Sequence, residues 1–273
     1  MDVKLLALDL DGTVLRSDNT LSPVVGRALE KAAQSGIEVA VASGRPFGSM
    51  PRELLSIDGG DYVIASNGAA IYHQHKRIFS DTLRPQDVQK ILALTAGYDL
   101  IWEAFLDGET CTDRRYYDDP VRYGCSRAYI DYVRGSRAAC DDMRGFIERN
   151  RHRLDSVEFV CTDKDLREHL WASLEKAVPD VYITSSSRNF VEFMNGTATK
   201  ANALRKLCEL LDVDQKNTVA AGNADNDVDM LLFAGTGAAV RNATPKCLDA
   251  ADLIVDTNDN DGIAELVEYL VER

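Results

Sequence analysis

The chain has 273 residues and carries 31 Lys and Arg against 44 Asp and Glu, a formal net charge of −13. That acidic balance excludes a general nucleic-acid binder, because phosphate backbones are gripped by dense cationic surface. With 45% hydrophobic and 27% charged residues the composition is globular, and no apolar run approaches the ~20 residues of a membrane span.

In chain order, Val3 to Leu8 is a short continuous apolar run, the pattern of a strand covered on both faces of a parallel sheet. Ser22-Pro23 offers an N-cap and a first-position proline for a helix carried on by Leu29, Ala32 and Ala33 and closed by Gly36. Ile37–Ala42 reads as a second strand, Phe47–Leu55 as a helix and Tyr62–Ala65 as a third strand. This βαβαβ rhythm implies right-handed crossovers and an α/β, doubly wound parallel sheet. The rhythm returns near the C-terminus, with helices at Thr199–Leu211, Asp225–Phe233 and Gly262–Val271. Between them lie strands at Thr218–Ala221, Gly237–Val240 and Leu253–Val255.

The middle behaves differently. Ile101–Phe105, Glu109–Cys111 and Val157–Cys161 read as strands, with a hairpin turn at Asp107-Gly108 and flanking helices at Pro85–Ala96 and Asp163–Ala177. Charge shifts too, since residues 111–153 hold ten Arg against seven Asp and Glu. An inserted α+β domain over residues 83–188 is therefore expected, interrupting a core made from residues 1–82 and 189–273. The opening MDVKLLALDLDG has acids too early and too short an apolar stretch for a secretory signal. Cys111, Cys125, Cys140, Cys161, Cys208 and Cys247 form no CxxC pair, so unlinked thiols in a cytoplasmic protein are expected.

Ligands of open parallel sheets collect beyond the carboxyl ends of the strands, and four segments there carry chemistry. Asp9-Leu10-Asp11-Gly12-Thr13 places two carboxylates just past the first strand, close enough to disfavour joint ionisation unless a cation joins them. Mg²⁺ suits such oxygens, although solvated turn acids would read the same way. Ser43-Gly44-Arg45 follows the second strand, where a hydroxyl and an amide could hold a phosphate oxygen or simply cap a helix. Lys200 opens a helix against its dipole, which asks for an anionic partner or for escape to solvent. Gly222-Asn223-Ala224-Asp225-Asn226-Asp227 crowds oxygen donors at the mouth of a strand, and equally fits a capped helix start. Each segment alone has a structural explanation. All four in this order favour a site.

At these residues the sequence resembles the haloacid dehalogenase (HAD) superfamily, and within it the Cof-type phosphatases with a large inserted cap. Asp9-Leu-Asp-Gly-Thr is similar to the first family motif, Ser43-Gly-Arg to the second, Lys200 to the third and Gly222-Asn-Ala-Asp-Asn-Asp-Val-Asp-Met to the fourth. Ser66-Asn67-Gly68-Ala69, Asn242-Ala243 and Ala251-Asp252 are similar to the subfamily as well. The resemblance implies a HAD-like, Rossmann-like core with an α+β cap that closes over it. It also implies a Mg²⁺-dependent phosphatase of small phosphorylated metabolites, sugar phosphates among them. Asp9 would be the nucleophile that forms an aspartyl-phosphate, and Asp11 the general acid and then base. Leu10, Ser43, Gly44, Lys200 and Asn226 would hold the phosphoryl oxygens. Asp9, Asp11 through its main-chain carbonyl, Asn223 and Asp227 would serve the metal, and Arg45, Asn67 and Gly68 would lie near the substrate.

One departure from the family pattern is Asn223, where an aspartate is usual. Its amide oxygen can still ligate Mg²⁺, but with one charge fewer. Two other readings remain open: a phosphomutase of sugar phosphates, and a phosphate-ligand regulatory module in which Asn223 marks catalytic decay. Elsewhere, Asp256–Gly262 departs from EF-hand spacing and reads as a polar loop before the last helix. His73 and His75 would share one face of a strand in a surface hairpin. Arg114, Arg115, Arg122, Arg127 and Arg134 lie among Tyr116, Tyr117, Tyr123, Tyr129 and Tyr132, a set that could grip anionic or sugar-like groups or be solvated over a small aromatic core. Partner subunits cannot be read from the sequence.

Overall fold

A computed structural model describes residues 2–57, 60–185 and 188–272. The strands in chain order are β1 (Leu5–Asp9), β2 (Glu38–Ala42), β3 (Tyr62–Ala65), β4 (Ala70–His73), β5 (Lys76–Ser80), β6 (Ile101–Leu106) and β7 (Glu109–Asp113). They continue with β8 (Arg137–Cys140), β9 (Leu154–Val160), β10 (Val181–Thr184), β11 (Phe190–Asn195), β12 (Thr218–Gly222), β13 (Thr236–Val240) and β14 (Leu253–Val255). The chain divides into two units, one of Met1–Arg45, Met50–Phe79 and Thr199–Arg273, the other of Pro46–Ser49 and Ser80–Ala198.

The first unit is built on an eight-stranded sheet of order β14-β13-β12-β1-β2-β3-β4-β5. β1 pairs in parallel with both β2 and β12, and its five residues are all buried, as a central strand covered on both faces must be. The chain leaves β1 in one direction through β2 and β3 and returns on the other side through β12 to β14. The order therefore reverses beside β1, where open α/β sheets hold their ligands. Ala201, Ala203, Leu204 and Leu207 of the helix Lys200–Leu211 share one buried core with Leu5, Ala7, Ala40 and Ala220 of the sheet. The helices Pro23–Gln34 and Gly262–Val271 pack on each other and bury Leu29, Ile263, Leu266 and Leu270. Ser22 caps the former through its hydroxyl, which accepts from the Val24 amide at 3.1 Å, and Gly36 leaves it with φ +83°.

The second unit is a six-stranded sheet of order β10-β11-β9-β6-β7-β8, antiparallel except for β7 beside β8. Trp102, Ala104, Val157, Phe159, Val191 and Phe193 face a core completed by Val88, Ile91, Ile147, Leu170 and Leu174 from three helices. The alternate residues of the same strands include Glu103, Glu158 and Glu192, which stand opposite one another across β6, β9 and β11. All three are buried. Arg137 donates to Glu103 from Nε at 2.8 Å.

Several expectations need correction. The return to the first unit comes at Thr199 rather than residue 189, because β11 pairs antiparallel with β9 and belongs to the second sheet. The second unit likewise begins at Ser80 rather than residue 83, and it takes in Pro46–Ser49. The helix expected over Phe47–Leu55 is a short 3-10 turn at Phe47–Ser49 followed by a single α-turn at Arg52–Leu55, since Pro51 has no amide hydrogen to carry a continuous helix. Asp225–Phe233 is likewise split, with a 3-10 turn at Asp225–Asp227 ahead of the helix Val228–Phe233. His73 ends β4 and stacks on Tyr62 at 4.5 Å, whereas His75 sits in the hairpin turn with φ +64°. The two histidines therefore share no strand face.

Candidate active site

Three of the four segments meet in one buried ion cluster at the carboxyl end of β1. Asp9 is the last residue of that strand and 5% exposed. Its Oδ1 accepts from Lys200 Nζ at 2.6 Å and its Oδ2 from Thr13 Oγ1 at 2.8 Å. Lys200 stands at the first position of its helix, behind the Thr199 N-cap. It is 2% exposed, so it points inward to its carboxylates instead of escaping to solvent. Nζ also donates to Asp227 Oδ1 at 2.7 Å. The other oxygen of Asp227 accepts the amides of Asn223 and Ala224, each at 3.0 Å. Asp227 thus fastens the lysine to the loop that follows β12.

Electrostatics follow from this burial. Desolvation first, and then the charge of Asp227, push the Asp9 carboxyl up to about 7, against the pull of Lys200 and Thr13. Desolvation opposes the Lys200 ammonium as well, yet the two carboxylates hold its pKa above the ordinary lysine value. With both carboxyls ionised, the single ammonium leaves one negative charge unbalanced, and a bound cation would offset it.

Asp11 lies outside this cluster. Arg45 forks onto its carboxylate, with Nε at 2.9 Å from Oδ2 and Nη2 on Oδ1. Ser43 Oγ accepts the Arg45 amide at 3.1 Å. Ser66 and Asn67 donate their amides to the carbonyls of Arg45 and Ser43 at 2.9 and 3.0 Å, so the turn after β3 is tied to the turn after β2. Asn226 Nδ2 donates to Asn67 Oδ1 at 3.0 Å. Gly12 adopts φ +79°, and a Cβ there would fall 2.4 Å from the Asn223 carboxamide. The left-handed φ favours glycine there, and the Asn223 side chain occupies the space a Cβ would take.

The residues present suit a hard divalent cation through oxygen alone. Among the described residues no group of three or more His, Cys, Asp or Glu could hold a metal. The site instead offers the Asp9 and Asp227 carboxylates and, where a third carboxylate would complete such a group, the Asn223 carboxamide. Mg²⁺ accepts a set of carboxylate, amide, carbonyl and water oxygens.

The sequence alone points to no role for Thr13 or Asn242. Asn242 donates to the Gly12 carbonyl at 2.9 Å and accepts from the Asn258 amide at 3.1 Å, while the Thr244 amide donates to the Asn223 carbonyl at 2.8 Å. The segment after β13 therefore braces the first and fourth motifs. A hydroxyl four residues beyond Asp9 was visible, but its partner depends on the turn at Gly12. In the second unit Arg114 pairs with Asp141, Arg115 with Asp113 and Asp99, and Arg134 with main-chain carbonyls. Tyr116 joins Tyr123, Phe190 and Ile101 in a small core. Those arginines serve local structure. The six cysteines are all free, and no described helix is long and apolar enough to cross a membrane.

Residues 6–267 match the haloacid dehalogenase-like hydrolase family. The chain belongs to this family. Among curated relatives, the phosphatase YwpJ of Bacillus subtilis is 28% identical, over 98% of this chain and 100% of its own. From the same organism, the 5-amino-6-(5-phospho-D-ribitylamino)uracil phosphatase YcsE is 26% identical, over 99% and 97%. A crystal structure of a haloacid dehalogenase-like hydrolase from Bacteroides thetaiotaomicron superposes with a TM-score of 0.84 at 25% identity, covering 98% of this chain and 99% of that one. As a haloacid dehalogenase-like phosphatase, the protein is a phosphoric monoester hydrolase acting on a small phosphorylated substrate.

Proposed function

We propose that the protein is a Mg²⁺-dependent phosphatase of small phosphorylated metabolites that works through an aspartyl-phosphate on Asp9. The observation that carries this reading is the buried Asp9–Lys200–Asp227 cluster at the end of β1. Lys200 stabilises the ionised form of Asp9, the form a nucleophile needs, in a site whose burial disfavours it. An Asp9 oxygen attacks phosphorus while the bond to the leaving alcohol breaks, and Asp11, released from the Arg45 fork and protonated, gives that alcohol its proton. The Asp11 carboxylate then takes a proton from water. Water attacks phosphorus, the bond to Asp9 breaks, and inorganic phosphate leaves. Leu10, Ser43, Gly44, Lys200 and Asn226 hold the phosphoryl oxygens throughout, and such positioning carries most of the catalysis in phosphoryl transfer. Asp9, the Asp11 carbonyl, Asn223 and Asp227 are the residues that would serve the metal. When bound, Mg²⁺ supplies positive charge against the transferring group.

The named relative YcsE acts on a phosphorylated ribitylamino-uracil, and full-length similarity to it supports phosphorylated sugars or polyols as the substrate class here. Hydrolysis of p-nitrophenyl phosphate is expected to require Mg²⁺, to stop with EDTA and to fall at least ~10³-fold in Asp9→Asn. Turnover that survives Asp9→Asn defeats the proposal. A panel of phosphometabolites then ranks leaving groups by kcat/KM.

A further inference from the structure

We infer that Asn67 is a positioning residue, which acts through Asn226 to set the phosphate-binding face of the site. The inference rests on the proposed roles of Gly44 and Asn226. Ser66, Asn67 and Gly68 form three consecutive residues in the left-handed region, with φ of +50°, +54° and +108°, a conformation that L side chains rarely adopt. The turn is fastened on three sides. Its amides donate to the Ser43 and Arg45 carbonyls. Gly68 lies so close to the Thr199 main chain that a Cβ would fall 2.3 Å from the carbonyl oxygen. The residue after Thr199 is Lys200. This strained turn therefore touches the second motif directly and the third motif through its N-cap.

The Asn67 side chain adds the fourth. Its Oδ1 accepts from Asn226 Nδ2 at 3.0 Å, and a Cβ placed on Gly44 would lie 3.3 Å from both terminal atoms of the same carboxamide. Asn67 is 9% exposed, whereas Asn226 is exposed on a 3-10 turn. An exposed carboxamide samples several rotamers, and ordering it at the moment of binding costs affinity. One N–H of Asn226 given to Asn67 fixes the plane of the amide and leaves the second N–H for an anion. Asparagine fits here because it tolerates the left-handed backbone and supplies an uncharged acceptor. An aspartate would accept the same bond but bring a negative charge beside the bound phosphate.

Glycine preserves the turn and removes only the carboxamide. In Asn67→Gly the inhibition constant of inorganic phosphate and the KM for p-nitrophenyl phosphate are expected to rise on the order of tenfold, with kcat changed less. In an Asn226→Ala background the same substitution should add less than about twofold, because the group it orients has gone. Asn67→Ala loses the same acceptor while straining the backbone, so it should match Asn67→Gly in phosphate inhibition at a lower Tm. Full multiplication of the two effects in the double variant overturns the inference. So does an inhibition constant that follows Tm instead of the side chain. Asp9→Asn keeps the two levels apart: loss of turnover there, with phosphate inhibition unmoved in Asn67→Gly, overturns this inference alone. Retained turnover in Asp9→Asn overturns the reading beneath it.

Discussion

Asp9 is held in a place that works against its own charge. Burial and Asp227 disfavour the carboxylate, and one ammonium at 2.6 Å keeps it available. The remaining negative charge explains why a cation would bind even with an amide at position 223. Restoring a carboxylate in Asn223→Asp is expected to lower the Mg²⁺ concentration for half-maximal activity by roughly tenfold, since ligand charge tunes affinity for hard cations. A metal titration of activity, checked by calorimetry, measures it, and an unchanged midpoint defeats the account. At this scale Asp9, Lys200 and Asp227 were legible because each is a polar residue at the end of an apolar run or at a helix start. The Arg45 fork on Asp11 was not, for it depends on how two loops of unrelated sequence curve toward each other.

Elements were legible where their signals are local. The Ser22 cap and the glycine after Ser35 act within one turn of chain. Gly68 is a different case, since its need for no side chain comes from Thr199, far along the sequence. Gly68→Ala combines a left-handed φ with a clash against main chain, and should cost about 2 kcal/mol or more in urea unfolding. In the second unit the row Glu103–Glu158–Glu192 depends on strand register, which no single strand reveals. Burial first, then the neighbouring Glu103, push the Glu158 carboxyl well above the ordinary range. Arg137 and hydrogen bonds instead hold Glu103 below it, against burial. A raised folded value stabilises below the unfolded pKa, and that contribution is lost as pH rises through the folded value. Glu158→Gln keeps the shape without the titration. Its stability relative to the wild type is expected to improve as pH rises from 5 to 9, and denaturation curves at several pH values test the slope.

Across the whole molecule, β1 lies between a strand of the N-terminal segment and one of the C-terminal segment. A chain ending at Ala198 would lack β12 to β14 and the helix Lys200–Leu211 that shares a core with Leu5 and Ala7. It should show no cooperative unfolding of the first unit by near-UV circular dichroism, because a half-sheet cannot bury its central strand. By itself the sequence determined the βαβ rhythm, the Ser22 cap and the strand-end motifs, since apolar periodicity and cap chemistry operate over a few residues. Only the tertiary structure decided that β11 belongs to the second sheet and that Lys200 bridges Asp9 and Asp227. It alone also placed Asn67 against Asn226. Those outcomes depend on strand pairing and on loops brought together from distant stretches of chain, and no local pattern encodes which distant partner a buried charge or amide will find.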